Sequence, residues 1–332
     1  MNETVKNSLR QNLIGTEATS DCYLCGKPGK ILYRHCSDYL FGTHGEWSFK
    51  ACRETDCGLV WLDPRPTLSE IGKAYQNYYT HASSNYMQQT RMARIIRVVL
   101  HSLSIYLLGL RKERKRYKCM YLDQTLPGWL LEVGCGNGKR LARMQALGWD
   151  VVGQEVDPVA ASYVREERGI SVHLGMLESL DVTEGYDAVI LSHVIEHVHD
   201  PLALLKTCYR LLKKDGVLVV LTPNVASYGH RRFGTGWRGL EPPRHLHLFS
   251  RKTLCQLAQK AEFNSLRSWT TMVGAFGIGQ ASTSFVNDTT EGRHHITVRD
   301  VLRGFWFQLV ARIIFLFNRD SGEECVLIST RK

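Results

Sequence analysis

Residues 130–144, LLEVGCGNGKRLARM, constrain the fold of this chain more than any other segment. An apolar run is followed by Gly134, Gly136 and Gly138 and then by a basic stretch with helical spacing. This pattern is typical of a buried strand, a tight turn and a helix, and the glycines let a ligand approach the backbone where a Cβ would not fit. Glu132 precedes the first glycine by two residues, where it would repel a pyrophosphate but pair with an ammonium group.

The chain after Trp129 alternates between short apolar runs and helical patterns. Predicted strands lie at 129–134, 151–156, 171–175, 186–194 and 216–224, and predicted helices at 139–147 and at 200–216, the latter capped by Asp200. Short apolar strands joined by helices predict an α/β fold, with a mostly parallel sheet covered on both faces. Such sheets bind ligands beyond the carboxyl ends of their strands, where the glycine turn lies.

A second acidic residue narrows the range of possible ligands. Glu155 ends the second predicted strand, where its carboxylate can accept two hydrogen bonds from ribose hydroxyls. Glu132 and Glu155 together favour an ammonium-bearing amino acid joined to a ribonucleoside, which describes S-adenosylmethionine.

Three segments resemble the class I S-adenosylmethionine-dependent methyltransferases: LEVGCGNGK (131–139), VGQEVDP (152–158) and YDAVILSHVIEHVHDP (186–201). The third resembles the branch that contains ubiquinone-pathway O-methyltransferases. The resemblance implies a Rossmann-like seven-stranded sheet whose last strand, within 322–332, is inserted antiparallel. It implies cofactor contacts from Glu132, Gly134, Cys135, Gly136, Gly138, Glu155, Val156, Met176, Leu177, Ser192 and His193. Met176 stands where the branch often has an acid for the adenine, so Met176, Glu178 or a carbonyl is expected there.

Two histidine groups are candidates for catalysis on the acceptor side. They are His193 and His197 in SHVIEHVHDP, and His245 and His247 in EPPRHLHLFS. One interpretation is a histidine general base, and another is histidines with a structural role. A third follows from the resembling ubiquinone-pathway and small-RNA enzymes: a divalent metal at His193, Glu196 and His197, with a fourth ligand from the second group.

The segment 233–249 offers further acceptor contacts. Arg238 and Arg244 are predicted to clamp a phosphate or carboxylate, and Trp237 to stack on a ring. The alternative is an ordered loop whose arginines bind backbone carbonyls.

Four N-terminal cysteines follow a C-x2-C … C-x4-C pattern, at Cys22, Cys25, Cys52 and Cys57. Two tight turns that each present two thiolates predict a structural zinc site, and free buried cysteines are the alternative. The x4 spacing is looser than usual, so Cys36 or His35 is a reserve ligand. With LVWLDPRP (59–66), the module resembles the zinc-ribbon front of some bacterial sugar and natural-product methyltransferases.

The predicted organisation is therefore a zinc-ribbon-like module at 18–66, a helical linker at 67–125 and a class I methyltransferase domain at 126–332. Within the linker, a helix is expected at the start of 68–89 and another at 91–118.

Charge and cysteine content bear on location and partners. The formal net charge of +10 favours anionic partners, and LRKERKRYK (110–118) carries much of it. Ten cysteines without an apolar leader in MNETVKNSLR predict a reducing, cytoplasmic compartment. Segments 95–110 and 301–317 are too short or too interrupted to span a bilayer. They are expected to be amphipathic helices packed on the core, or to contact the inner face of a membrane.

These features predict a methyltransferase acting, by oxygen methylation, on a sugar, polyketide, quinone-like or lipid-linked metabolite. A metal-dependent RNA 2′-O-methyltransferase is the alternative, less favoured because the basic residues lack interleaved aromatics. A non-catalytic S-adenosylmethionine-binding module is a third hypothesis, against which the intact Glu132, Gly134, Gly136 and Glu155 argue.

Overall fold

The computed structural model describes residues 14–75, 87–181, 184–287 and 294–332. The strands are β1 (Thr16–Glu17), β2 (Gly29–Cys36), β3 (Trp47–Cys52), β4 (Val60–Leu62), β5 (Arg65–Pro66), β6 (Met87–Gln89), β7 (Trp129–Val133), β8 (Asp150–Glu155), β9 (Val172–Leu174), β10 (Tyr186–Ser192), β11 (Leu212–Pro223), β12 (His247–Leu248), β13 (Ser265–Thr271), β14 (His294–Ile296) and β15 (Glu324–Thr330). The α-helices are α1 (Arg91–Leu107), α2 (Arg111–Lys118), α3 (Lys139–Gln145), α4 (Pro158–Arg168), α5 (Pro201–Leu211), α6 (Tyr228–Phe233), α7 (Arg251–Lys260), α8 (Ala275–Asn287) and α9 (Val298–Phe317).

A seven-stranded sheet forms the centre of the molecule, in the order β13-β15-β11-β10-β7-β8-β9. Strands β7 to β11 are parallel, and β15 runs antiparallel between β11 and β13. The predicted parallel sheet and the antiparallel strand within 322–332 are confirmed. Because β15 runs in reverse, its first residue, Glu324, lies at the same edge as the carboxyl ends of the parallel strands, opposite Pro223.

Two predicted helices end earlier than expected. Helix α5 is capped by Asp200 as predicted, but it stops at Leu211, because Leu212 takes an extended backbone and pairs with Tyr186 in the sheet. The predicted helix at 91–118 is two helices, α1 and α2, at 111° to each other, with Gly109 in a left-handed conformation between them. Within 68–89, Ile71–Tyr75 forms a 3-10 helix, and 76–86 lies outside the described residues.

The N-terminal module shares its sheet and its core with the rest of the chain. Strands β2, β3 and β4 are extended by β12, where His247 pairs with Trp61. Cys22 and Trp61 belong to one buried cluster with Leu205 of α5 and Leu257 of α7 on one face of the central sheet. The other face is covered by α3 and α4. The module is therefore packed as part of the larger fold, and its boundary at 66 stays a prediction.

No single helix among the described residues is long and apolar enough to cross a membrane, whereas the bent pair α1 and α2 passes the same test of length and composition when taken together.

Candidate functional site

The glycine turn after β7 forms a cradle with open space in front of it. Gly134, Gly136 and Gly138 all have positive φ, which residues with a Cβ rarely adopt. A Cβ at Gly134 would meet Val194 at 2.8 Å and one at Gly138 would meet Val164 at 2.9 Å, whereas one at Gly136 would have nothing within 4 Å. The first and third glycines are required by packing, and Gly136 leaves room for a ligand.

Glu155 holds the two loops of the cradle together. Its Oε2 accepts from Gly136 N at 2.8 Å, and its Oε1 accepts from Val156 N at 2.9 Å and Asp157 N at 3.1 Å. A carboxylate has about four acceptor positions. Three are taken by backbone amides, so one remains for a ribose hydroxyl rather than the two that the sequence predicted.

Glu132 is buried on β7 with half of its carboxylate unpaired. Arg140 of α3 donates to Oε1, and Oε2 has no hydrogen-bond partner among the described residues. Burial raises the pKa of the Glu132 carboxyl to about 7, against the opposing effect of Arg140. An unpaired buried carboxylate oxygen is costly, and an ammonium group of a ligand would satisfy it.

Sequence reasoning missed Gln154. Its Oε1 accepts from Gly134 N at 3.2 Å, and its Nε2 donates to Gly175 O at 2.5 Å, so one amide joins the glycine turn to the loop after β9. The only signal was its position beside Glu155 at the end of a predicted strand.

Four of the other predicted cofactor contacts divide into two groups. Val156 and Met176 are more than half exposed at the ends of β8 and β9, where they can cover an aromatic ring. Cys135 and Leu177 are buried in the two cores of the sheet. Contact of Cys135 or Leu177 with a cofactor is therefore limited to the backbone.

His193 lies between two carboxylates at the carboxyl end of β10. Its Nε2 is 2.9 Å from Glu324 Oε1, and its Nδ1 is 3.3 Å from Glu196 Oε1. These two acids raise the pKa of His193 to about 10 although burial opposes them, so the imidazole is protonated at neutral pH. A protonated His193 cannot accept a proton, which contradicts its predicted role as a base. Beside it, the buried Ser192 Oγ has no hydrogen-bond partner in the described part of the chain.

His197 and His245 form a second group with Glu196. One ligand atom each from Glu196, His197 and His245 lies within 4.8 Å of the others. His197 Nδ1 is 3.1 Å from Arg244 O, and His245 Nδ1 is 2.8 Å from Gly239 O.

A carbonyl only accepts, so Nδ1 of His245 carries the hydrogen and Nε2 of His245 keeps a lone pair. His197 Nδ1 has a second partner, the Tyr75 hydroxyl at 2.9 Å, which can donate as well as accept. Burial lowers the pKa of both rings, to about 4 for His245. Metal-binding histidines are held in this way by backbone carbonyls. The predicted metal set is corrected here: His245 takes the place of His193.

His247 does not join this cluster. Its ring is buried against Tyr23, with ring centroids 5.1 Å apart, and neither ring nitrogen has a hydrogen-bond partner among the described residues. Burial lowers the pKa of His247 to about 3. Its side chain lies at the junction with the N-terminal module, so the geometry does not support a catalytic role.

Residues 109–268 match the methyltransferase domain family. The chain contains a class I S-adenosylmethionine-dependent methyltransferase domain. It is 34% identical over 130 residues to the ubiquinone biosynthesis O-methyltransferase of Cereibacter sphaeroides (37% of this chain, 53% of that protein). It is 37% identical over 102 residues to the enzyme of that name from Bradyrhizobium sp. (29% and 40%). The chain spans about half the length of the curated relatives it matches.

A solved S-adenosylmethionine-dependent methyltransferase from Archaeoglobus fulgidus matches 67% of this chain and 94% of its own, at 20% identity and a TM-score of 0.44.

Two predictions for the acceptor side of the methyltransferase domain are wrong. Arg244 is fully buried, with Nη1 and Nη2 at 2.8 and 2.7 Å from the two carboxylate oxygens of Asp38 and Nε 3.1 Å from Glu241. Trp237 is buried in the core shared with the N-terminal module, so it does not stack on a ligand. Arg238, at the surface, donates to Glu241. The alternative of an ordered loop is correct for this segment, with acids as the partners of both arginines.

The four cysteines that were predicted to bind zinc lie close together in the N-terminal module. Cys22 Sγ lies 3.6 Å from Cys57 Sγ, and Cys25 Sγ lies 3.4 Å from Cys52 Sγ. Four sulfurs within 4.8 Å of one another match the donor set and the number of ligands of a closed tetrahedral zinc site. Cys36 and His35 are outside this group, so the reserve ligands are not needed.

Proposed function

We propose that this protein transfers the methyl group of S-adenosylmethionine to an oxygen of a small-molecule acceptor, in the class of sugars, polyketides, quinone-like or lipid-linked metabolites. The observation that carries the proposal is the cradle: Gly136 faces open space, and Glu132 keeps one unpaired oxygen for the ammonium group. The oxygen acceptor is supported by the names of the two curated relatives.

The proposed roles follow from the protonation states. A sulfonium methyl is already reactive, so the protein mainly orients the acceptor for in-line attack. A hydroxyl acceptor must lose a proton, which a base accelerates by roughly 10²–10⁴-fold. His245 offers an unprotonated Nε2 atom for this purpose, and the imidazolium of His193 can donate a hydrogen bond.

The same cluster also fits a divalent cation. Glu196, His197 and His245 would hold it, with Nδ1 of His245 bonded to the Gly239 carbonyl and Nδ1 of His197 in contact with Arg244 O and the Tyr75 hydroxyl. Such an ion would act as a Lewis acid that lowers the pKa of the acceptor hydroxyl.

The proposal also includes a structural zinc ion and contact of the protein with a membrane surface. A structural zinc at the four cysteines would stabilise the N-terminal module. Helices α1 and α9 carry exposed apolar residues, among them Val98, Leu107, Ile313 and Phe317. With the basic helix α2 beside them, they suit peripheral contact with an anionic membrane surface on the cytoplasmic side.

The test combines cofactor binding with identification of the product. Calorimetry with S-adenosylhomocysteine should show binding that Glu132→Gln weakens at least tenfold, whereas Glu166→Gln, an exposed acid on α4, leaves it unchanged.

Purified protein is then incubated with cell extract and methyl-labelled S-adenosylmethionine, and the products are separated. Label in the small-molecule or lipid fraction supports the proposal. Label in RNA would establish the metal-dependent RNA 2′-O-methyltransferase instead. Cofactor binding without label in any fraction would favour the non-catalytic module.

A further inference from the structure

A cavity of about 590 Å³ lies between α6, α8 and α9, apart from the residues assigned above. Its walls include Tyr228, Arg232, Phe233, Arg303, Trp306 and Phe307. This volume falls within the range of roughly 300–1,000 Å³ typical of small-molecule sites.

The cavity lies on the acceptor side of the central sheet. Helix α6 follows the end of β11, so it starts at the edge where the carboxyl ends of the parallel strands meet. Gly229 N of α6 donates to Glu323 Oε1 at 2.9 Å. The next residue, Glu324, contacts His193. Helix α6, which forms one wall of the cavity, is therefore hydrogen-bonded to Glu323, and Glu323 directly precedes Glu324 of the candidate site.

Arg232 and Arg303 place positive charge on one part of the cavity wall. Arg232 is exposed and, among the described residues, makes no ion pair or hydrogen bond; its guanidinium lies 5.6 Å from the Phe233 ring. Within the described part of the chain, the ion pair of Arg303 is a long one, 3.8 Å from Nη1 to Asp300 Oδ1. No described residue that lines the cavity carries a carboxylate. An anion in the cavity would therefore meet two guanidinium groups.

The remainder of the wall is apolar and continues out of the cavity. Phe307 stacks on Tyr228 with ring centroids 5.3 Å apart. Trp306 and Val310 line the cavity, and both are at least 40% exposed. Ile313 and Phe317 extend this row, because the spacing 306, 310, 313, 317 places all four on one face of α9.

We infer that this cavity binds an anionic amphiphile, with its phosphate or carboxylate on Arg232 and Arg303 and its hydrocarbon chain along the exposed row of α9. The inference rests on the proposed function, in which this amphiphile is the lipid-linked acceptor. The two arginines lie beside an exposed apolar surface on α9. A purely polar metabolite would leave this apolar surface in water, so an amphiphile fits the cavity better.

The experiment titrates full-length protein with geranyl phosphate by calorimetry, with geraniol and inorganic phosphate as separate ligands. Geranyl phosphate should bind at least tenfold more tightly than either part alone. Arg232→Gln should weaken its binding at least tenfold and Trp306→Ala several-fold, since both side chains are exposed and their loss leaves the fold intact. Arg143→Gln on α3, also exposed, is the matched control and should leave the affinity unchanged.

Equal affinity of Arg232→Gln and the unmodified protein would overturn the inference. Inorganic phosphate or geraniol binding as tightly as geranyl phosphate would also overturn it. S-adenosylhomocysteine affinity is measured in parallel and should be the same in all variants. If the unmodified protein did not bind S-adenosylhomocysteine, the proposed function would fail, while the geranyl phosphate titration, which contains no cofactor, would still decide the inference about the cavity.

Discussion

The cofactor side and the acceptor side of the site are built in different ways. On the cofactor side, Glu155 binds the amide of Gly136, only 19 residues away, and Glu132 pairs with Arg140 in the next helix. On the acceptor side, Arg244 binds Asp38 across 206 residues of sequence, and His193 meets Glu324 across 131. The cofactor side thus depends on one strand–turn–helix unit and its neighbour, whereas the acceptor side depends on the N-terminal module and the last strand being in place.

Loss of the predicted zinc should have the largest effect on the stability of the fold. Cys25→Ser removes one exposed ligand, and zinc in small modules can supply roughly 10–16 kcal/mol of apparent folding free energy. We expect loss of bound zinc, measured by mass spectrometry, and a fall in Tm of at least about 10 °C.

Cys255→Ser, outside the four-sulfur group, is the control and should keep its metal. Because Cys22 and Trp61 share a core with Leu205 and Leu257, unfolding should occur in one transition. A second transition with an unchanged upper midpoint would contradict this shared core.

Arg244→Met should have the next largest effect. It leaves the buried Asp38 carboxylate without its cation and Glu241 with Arg238 alone, and removal of one partner of a buried ion pair typically costs about 3–5 kcal/mol of the free energy of unfolding. Urea unfolding measures this loss. Arg251→Met removes an exposed ion pair with Asp320 and should cost less than about 1 kcal/mol.

If the two sides are built separately, Arg244→Met should keep its affinity for S-adenosylhomocysteine within about threefold below its unfolding temperature. A tenfold or larger loss would show that the cofactor side also depends on the long-range ion pair.

Gly136→Ala tests the cofactor side alone. The new Cβ projects into open space in front of the cradle and has an unfavourable φ, so S-adenosylhomocysteine affinity should fall at least tenfold. Gly169, at the end of α4, also has a positive φ and equally open surroundings, so Gly169→Ala is the matched control. It should lose about 1 kcal/mol of stability, as Gly136→Ala does, but no affinity. Equal affinities in both variants would mean that the cradle is not the binding site.

The smallest expected effect is on pH dependence. The Glu132 pKa of about 7 means that the free protein loses this negative charge as the pH falls from 8 to 6. The ammonium group of the ligand pairs only with the ionised carboxylate, so affinity for S-adenosylhomocysteine should fall up to about tenfold over that range. Calorimetry at both pH values measures the change, and Glu132→Gln should bind weakly and equally at both. Equal affinity of the unmodified protein at pH 6 and 8 would place the ammonium group elsewhere.

The sequence led to the right sheet and to the glycine turn after β7, but to the wrong partners for the residues around it. The strands were readable because each carries its own apolar run, and the cysteine cluster was readable because the spacing within each pair is local. The predicted end of α5 was wrong because an apolar residue such as Leu212 suits a helix and a strand equally well. Its pairing with Tyr186 in the sheet decides for the strand. Arg244 looked like a substrate clamp because its partner, Asp38, carries no motif.

The sequence by itself determined the class of fold, the cofactor cradle and the cysteine cluster. These depend on residues within one or two elements, where covalent geometry and hydrophobic period fix the neighbours. Only the tertiary structure decided that His193 is a cation between Glu196 and Glu324, that His245 joins His197 and Glu196, and that Arg244 is buried. Protonation and pairing depend on distances between side chains that the chain brings together from far apart, and on the loss of water around them.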